Sequence, residues 1–243
     1  MIGAIGEDGF GDQLYAQMEK HGINTSGIVR YADSSTGTAT IMHTPEDNCI
    51  VIVAGANGKV TPEHVMQHAS RIEQADVLLV QLEIPLPAVQ AALEIARRAG
   101  VRTVLNPAPA VPLPAAMLRL VDFITPNETE FELLSGAAFG DEAALLQGMQ
   151  RWEATGPRLL LTRGEKGVVL LVEGELQTIP APRVTVVDTT GAGDACNAAF
   201  CVAIAQGNDV VDAATMAVKA ASLSVTRFGA QAGMPTLEEL AVK

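Results

Sequence analysis

Val77-Leu78-Leu79-Val80-Gln81-Leu82-Glu83-Ile84-Pro85-Leu86-Pro87-Ala88-Val89-Gln90-Ala91-Ala92-Leu93-Glu94-Ile95-Ala96-Arg97-Arg98-Ala99-Gly100-Val101-Arg102-Thr103-Val104-Leu105 reads as one βαβ unit. It opens on four apolar residues, the pattern of a strand covered on both faces. Val89, Leu93 and Ala96 then recur at helical spacing over 87–99, and Gly100 supplies a C-cap. A second short apolar run, 102–105, follows. Two such strands joined by a helix lie parallel with a right-handed crossover, so this stretch predicts an α/β fold with a mostly parallel sheet.

The same alternation extends outward. Phe123-Ile124-Thr125, Leu159-Leu160-Leu161-Thr162 and Val168-Val169-Leu170-Leu171-Val172 read as further strands. Thr61-Pro62-Glu63 reads as an N-cap with proline at the first helical position, and Val65, Ala69 and Ile72 follow on one face. One part departs from the pattern. Thr36–His43 and Cys49–Val53, joined by the turn-rich Thr44-Pro45-Glu46-Asp47-Asn48, predict an antiparallel hairpin projecting from the body as part of a lid over 36–53. No Pro/Ser-rich linker or charge run divides the chain, so 1–243 reads as a single domain. Ligands of such sheets lie beyond the carboxyl ends of the strands. There the sequence places Gln81-Leu82-Glu83, Asn106-Pro107, Pro126-Asn127-Glu128 and Gly164.

A net charge of −12 and a pI near 4.7 argue against nucleic acid or an anionic membrane as partner. Cys49, Cys196 and Cys201 lack metal-ligand spacing and read as small buried hydrophobes in a reducing, cytoplasmic setting. No apolar stretch reads as a membrane span or leader. His64 and His68, four residues apart, read as a solvated helix face because no third metal ligand is evident.

Chemistry concentrates in Asp188-Thr189-Thr190-Gly191-Ala192-Gly193-Asp194. Val184-Thr185-Val186-Val187 before it reads as a strand, and the apolar Ala195–Ala205 after it as a helix. Gly191 and Gly193 permit positive φ and close backbone approach at that junction. The amides from Ala192 to Asp194 can then face an anion, reinforced by the helix N-terminus. Asp194 would stand where a substrate hydroxyl meets a transferred phosphate. The competing reading makes Asp188 and Asp194 turn and cap residues.

Together these residues resemble the ribokinase branch of the PfkB carbohydrate-kinase family. The likeness runs through Gly6-Glu7-Asp8-Gly9-Phe10-Gly11, Ala54-Gly55-Ala56-Asn57, Gln81-Leu82-Glu83, Leu105-Asn106-Pro107-Ala108-Pro109-Ala110 and Thr125-Pro126-Asn127-Glu128-Thr129-Glu130. It continues through Thr162-Arg163-Gly164-Glu165-Lys166-Gly167, the 188–194 motif and Gly229-Ala230-Gln231. The resemblance implies a ribokinase-like three-layer α/β/α fold with a mostly parallel central sheet and a small, incomplete β lid, part of the family's lid and its N-terminal strand being absent, and an ATP-dependent kinase converting D-ribose to D-ribose 5-phosphate. It implies Asp194 as general base, Gly191, Ala192 and Gly193 as anion hole, and Glu83 with Asp194 as sugar ligands. For ATP it implies Asn127, Thr162, Arg163, Gly164, Glu165, Lys166, Gly167 and Gly193. Glu130 would help hold Mg²⁺ through water; on the residues alone, Asn127 and Glu130 also read as a capping box. The 162–167 segment likewise reads as a plain strand-to-strand connection, with Lys166 a solvated loop lysine. For an activating K⁺ the resemblance implies Asp188 and the carbonyls of Thr190, Ser224, Arg227, Gly229 and Gly233. It also implies a homodimer through the lid.

The match departs at the front. The family's Asn-x-Asp strand and Gly-Gly-Lys-Gly-x-Asn segment, both sugar-binding, are missing, and Met1-Ile2-Gly3-Ala4-Ile5 already resembles a later strand. This leaves three expectations open: a start codon chosen too late, a natural fragment, or compensation by another subunit. It also leaves open a PfkB kinase for another sugar or nucleoside, and a catalytically impaired nucleotide-binding or interaction protein.

Overall fold

The computed structural model describes residues 1–43 and 48–241. The turn expected over 44–48 lies, apart from Asn48, outside the described residues, as does the side chain of Cys49. The chain divides into two compact units, 1–74 with 82–99, and 75–81 with 100–243.

In the first unit, β1 (Ile2–Gly6), α1 (Gly9–Lys20) and β2 (Gly27–Tyr31) form a βαβ turn whose strands pair in parallel from Ile2↔Gly27 to Gly6↔Tyr31. Asp8 caps α1, its Oδ1 accepting from the Gly11 amide at 2.8 Å. The same carboxylate accepts from the Thr36 hydroxyl and amide, each at 2.7 Å, and Thr36 Oγ1 accepts from the Gly6 amide at 2.9 Å. That knot fixes the base of the expected hairpin, β3 (Thr38–His43) and β4 (Asn48–Val53), which pair antiparallel from Thr38↔Val53.

A 3-10 turn over Gly55–Lys59 leads to α2 (Pro62–Gln67), capped by Thr61, whose side chain accepts from the His64 amide. The face expected through Val65, Ala69 and Ile72 is broken at His68, so α3 (Ala69–Glu73) is a separate helix, yet Val65 and Ile72 are both buried. His64 is not simply solvated: its Nε2 lies 3.0 Å from the Gly27 carbonyl. Both short helices pack on α4 (Leu86–Ala99), which buries Ala88, Val89, Ala92, Leu93 and Ala96 and ends at Gly100 with φ +75°.

The second unit is built on a parallel sheet in the order β5 (Val77–Val80), β6 (Arg102–Leu105), β7 (Phe123–Ile124), β8 (Arg158–Leu159). Helices α5 (Ala115–Leu118), α6 (Glu128–Ser135) and α7 (Glu142–Glu153) lie between its later strands. Leu160 divides the strand expected over 159–162, so that β9 (Leu161–Thr162) joins β10 (Val168–Val172) and β11 (Glu175–Ile179) in an antiparallel sheet. The reversal follows from length, because a parallel return needs a dozen or more residues and 163–167 are five.

Behind the sheets pack α8 (Ala192–Ala205) and α9 (Val210–Ser224), with α10 (Leu237–Ala241) against α9. Helix α8 is apolar on nearly all sides and buries Ala195, Cys196, Ala199, Phe200, Ala203 and Ile204. Phe200, Ala203 and Ile204 meet Phe123, Leu170 and Val218 in the core, with the Phe123 and Phe200 rings edge to face at 5.3 Å.

The strand expected over Val184–Val187 is corrected. Residues 181–186 belong to no strand, and Val184, Val186 and Val187 are exposed. β-branched residues favour a strand only where a partner covers them. Here the backbone's tie is to the end of α9, the Val187 amide donating to the Val225 carbonyl at 2.7 Å.

Candidate active site

Helix α8 begins at Gly191, which has φ +82°. A Cβ there would meet the Ala230 carbonyl oxygen and Met234 Cε at 3.1 Å, so both conformation and space require glycine. Gly193 differs from its expected role. It lies within the helix, outside the positive-φ set, and a Cβ on it would meet nothing within 4 Å. Its missing side chain therefore opens space above the helix end. The Ala192 amide is spent on the Thr189 carbonyl at 3.2 Å. Amides of a first helical turn otherwise lack intrahelical acceptors, which leaves Gly193 and Asp194 as the donors facing that space. Asp194 stands at the mouth, open on one side and backed by protein on the other, and this desolvation raises its carboxyl above the ordinary range.

A cavity of about 200 Å³ joins this turn to the carboxyl ends of the central strands. Its lining includes Asn106, Thr125, Asn127, Glu130 and Thr162 on one side and Thr189, Gly191 to Asp194 and Asn197 on the other. Asn106 continues β6 and its side-chain amide donates to the Thr125 carbonyl at 3.0 Å. Asn127 caps α6. Its Oδ1 accepts from the Glu130 amide and Glu130 Oε2 accepts from the Asn127 amide, both at 2.8 Å, so the capping box is formed. Burial raises the Glu130 carboxyl, and the Asn127 amide partly opposes that rise. One Glu130 oxygen is thus committed to the cap, and its partner oxygen is not needed for it.

The loop after α9 is tied to the same turn by Asp188, which is 8% exposed. Its Oδ1 accepts from the Thr190 amide and its Oδ2 from the Gly229 amide, both at 2.9 Å. A Cβ built on Gly233 would lie 2.8 Å from the Ser224 carbonyl oxygen and 3.0 Å from that of Gly229. The Ser224 and Gly229 carbonyls therefore leave no room for a side chain at position 233, and the Gly229 carbonyl accepts from the Gly233 amide at 2.8 Å. The Arg227 side chain turns away to pair with Glu239.

The 162–167 segment separates. Thr162 lines the cavity and bridges to Asn127 in parallel register. The next residues turn β9 into β10 through a 3-10 turn over Gly164–Lys166, with Gly164 at φ +54° and Gly167 at φ +88°. Arg163 Nε donates to Glu128 Oε1 at 2.9 Å, and Arg163 and Lys166 line a different cavity of about 370 Å³ with Glu128, Glu132 and Asp141. Glu165 is exposed. Glu83 belongs to the first unit, in the bend before α4, and is exposed.

Residues 1–237 match the family model described as pfkB family carbohydrate kinase. The chain belongs to the pfkB family of carbohydrate kinases. It is 40% identical to a ribokinase of Staphylococcus aureus over 242 residues, covering 98% of this chain and 80% of that protein. With a ribokinase of Bacillus subtilis it shares 37% over 240 residues, covering 99% and 79%. Among solved structures it superposes on Arabidopsis thaliana ribokinase, complexed with ribose and ATP, with a TM-score of 0.90 at 31% identity, covering all of this chain and 81% of that one. The fold is accordingly ribokinase-like α/β, and the enzyme class is a phosphotransferase acting on a carbohydrate.

Two residues on the kinase's cavity wall escaped the sequence reading. Thr189 sits inside the motif with no assigned task. Asn197 lies beyond it, one turn into an apolar helix; a lone amide among alanines was the available signal. Among the described residues no group of three or more His, Cys, Asp or Glu side chains could hold a metal ion, and no helix is long and apolar enough to cross a membrane. A divalent ion here would therefore take most of its ligands from phosphate and water, as Mg²⁺ commonly does.

Proposed function

We propose that this kinase transfers the γ-phosphoryl group of ATP to a hydroxyl of a pentose, D-ribose yielding D-ribose 5-phosphate. The observation that carries the reading is the shared wall of one cavity, where Asp194 stands beside the open first turn of α8. The family and the ribokinase relatives supply the substrate class.

Asp194 accepts the proton of the attacking hydroxyl; a carboxyl raised by burial is a better base than an ordinary one. The Gly193 and Asp194 amides, on the turn that Gly191 and Ala192 shape, stabilise charge on the transferring phosphoryl group. Asn127 and Thr162 border the nucleotide phosphates, and the 163–167 turn serves the nucleotide through its backbone, since Arg163 is already paired with Glu128. Glu83 binds sugar. Mg²⁺, held by Glu130 through water, would neutralise phosphate charge. K⁺, held by Asp188 and the carbonyls of Thr190, Ser224, Arg227, Gly229 and Gly233, would fix the loop beside the anion hole. Both donor sets consist of hard oxygens, which these ions prefer.

ADP release coupled to a panel of sugars tests the reading, run in K⁺ and again in tetramethylammonium. Ribose-dependent release that is faster in K⁺ is expected. Asp194→Asn should lower kcat by about 10³-fold or more, within the range of losing a general base together with its alignment, with ATP affinity little changed. ATP binding without ADP release on any sugar would defeat the proposal, and equal rates in the two salts would remove the cation site.

A further inference from the structure

Asn197 follows Asp194 by three residues on α8, and both line the same cavity. Positions three apart share a helix face, and helical side chains lean toward the N-terminus, so the Asn197 amide lies beneath the turn that carries Asp194. The residue is 5% exposed, and its Oδ1 is sealed from solvent with no protein donor reaching it. A carbonyl buried in this way opposes folding, and a leucine of similar volume would avoid that cost.

The neighbouring groups do not relieve it. Asn106 has committed its amide to Thr125, and Glu130 and Asp194 are acceptors when ionised. Burial is the one influence on the Asp194 carboxyl, which no donor lowers. The groups nearest the Asn197 carbonyl are therefore acceptors or already committed donors, and what would complement that oxygen is a donor on a ligand. Packing within the protein therefore does not account for an asparagine at this position.

We propose that Asn197 is a positioning residue of the phosphoryl-transfer site: its amide takes the missing hydrogen bond from a hydroxyl or water that enters with the substrates, and that bond fixes the turn aiming Asp194. The inference rests on the kinase reading above. Oδ1 reaches the donor by rotation about the side-chain torsions, with no covalent change.

The test compares the Asn197→Leu variant with the wild type, each melted alone and with magnesium ATP plus D-ribose, and each assayed for turnover. Alone, the variant should melt at the wild-type temperature or a few degrees above it, because an unsatisfied group has been removed. The rise in Tm on adding ligands should be at least halved, and kcat should fall tenfold or more with KM for ATP within twofold. Should the leucine variant not melt cooperatively, Asn197→Ala carries the turnover and ligand-rise comparisons. Wild-type kcat in the variant overturns the inference. So does a Tm lowered equally with and without ligands, the mark of a packing residue. If the wild type itself releases no ADP, the kinase reading fails separately, and the ligand-induced rise still decides: an equal rise in variant and wild type overturns Asn197, a smaller one supports it.

Discussion

At the scale of single residues, Gly191 and Gly193 are chemically identical and do different work. Gly191 is held at φ +82° with the Ala230 carbonyl 3.1 Å from where a Cβ would stand, so Gly191→Ala should destabilise the protein by about 1–2 kcal/mol or more. Gly193 is helical with open space above it, and Gly193→Ala should leave stability unchanged or raise it by up to about 1 kcal/mol. Turnover should nonetheless fall in both, because the added methyl of the second variant occupies the approach to the free amides. Denaturant midpoints beside kcat separate the two effects, and a Gly193→Ala enzyme of normal turnover would remove phosphate from that space. Asp194 gives a second prediction. Its carboxyl is raised in the folded state, so the native protein binds that proton more tightly than the unfolded chain does. Its contribution favours folding below the ordinary carboxylate pKa and is lost as pH rises through the folded value. Asp194→Asn should therefore melt above the wild type at pH 7, with the gap closing as pH falls toward about 4. A gap that widens in acid would refute the sign.

At the scale of elements, α8 both encloses the core and opens the site. Its buried side carries Cys196, and half-buried Cys201 follows five residues on; burial pushes both thiols up to about 12. Neither forms thiolate near pH 8, so peptide mapping after alkylation of the native protein should find both unmodified, and both labelled after denaturation. Modification of either in the native protein would mean that α8 opens. The same helix shows where local reading fails. The apolar run from Ala195 made the helix legible, and the glycines announced its start. The valines at 184–187 looked equally strand-like and form no strand, because pairing depends on a partner that a local run cannot specify. The divided strand at Leu160 has the same origin, since two sheets compete for adjacent residues.

For the whole molecule, the expected lid hairpin leaves Met42, Val51, Ile52 and Val53 about half exposed. Consecutive strand residues point to opposite faces, so both faces of this hairpin present apolar surface. Self-association through it accords with the homodimer that the family resemblance implies. Sedimentation velocity should show a dimer for the wild type and a shift toward monomer for Ile52→Lys; a monomeric wild type at every concentration would exclude it.

Read alone, the sequence determined the βαβ grammar, the caps at Thr61 and Gly100, the enzyme family and the motif that opens α8, because each is written in periodicity or in residues adjacent along the chain. Only the tertiary structure decided which members of the motif meet. It joined Asp188 to Gly229 across 41 positions, set Thr162 rather than Arg163 on the cavity, committed Ala192's amide to Thr189, and brought Asn197 to the wall without a donor. Such facts depend on which groups find partners after packing, and hydrogen-bond satisfaction is a property of the folded surroundings rather than of residue type or spacing.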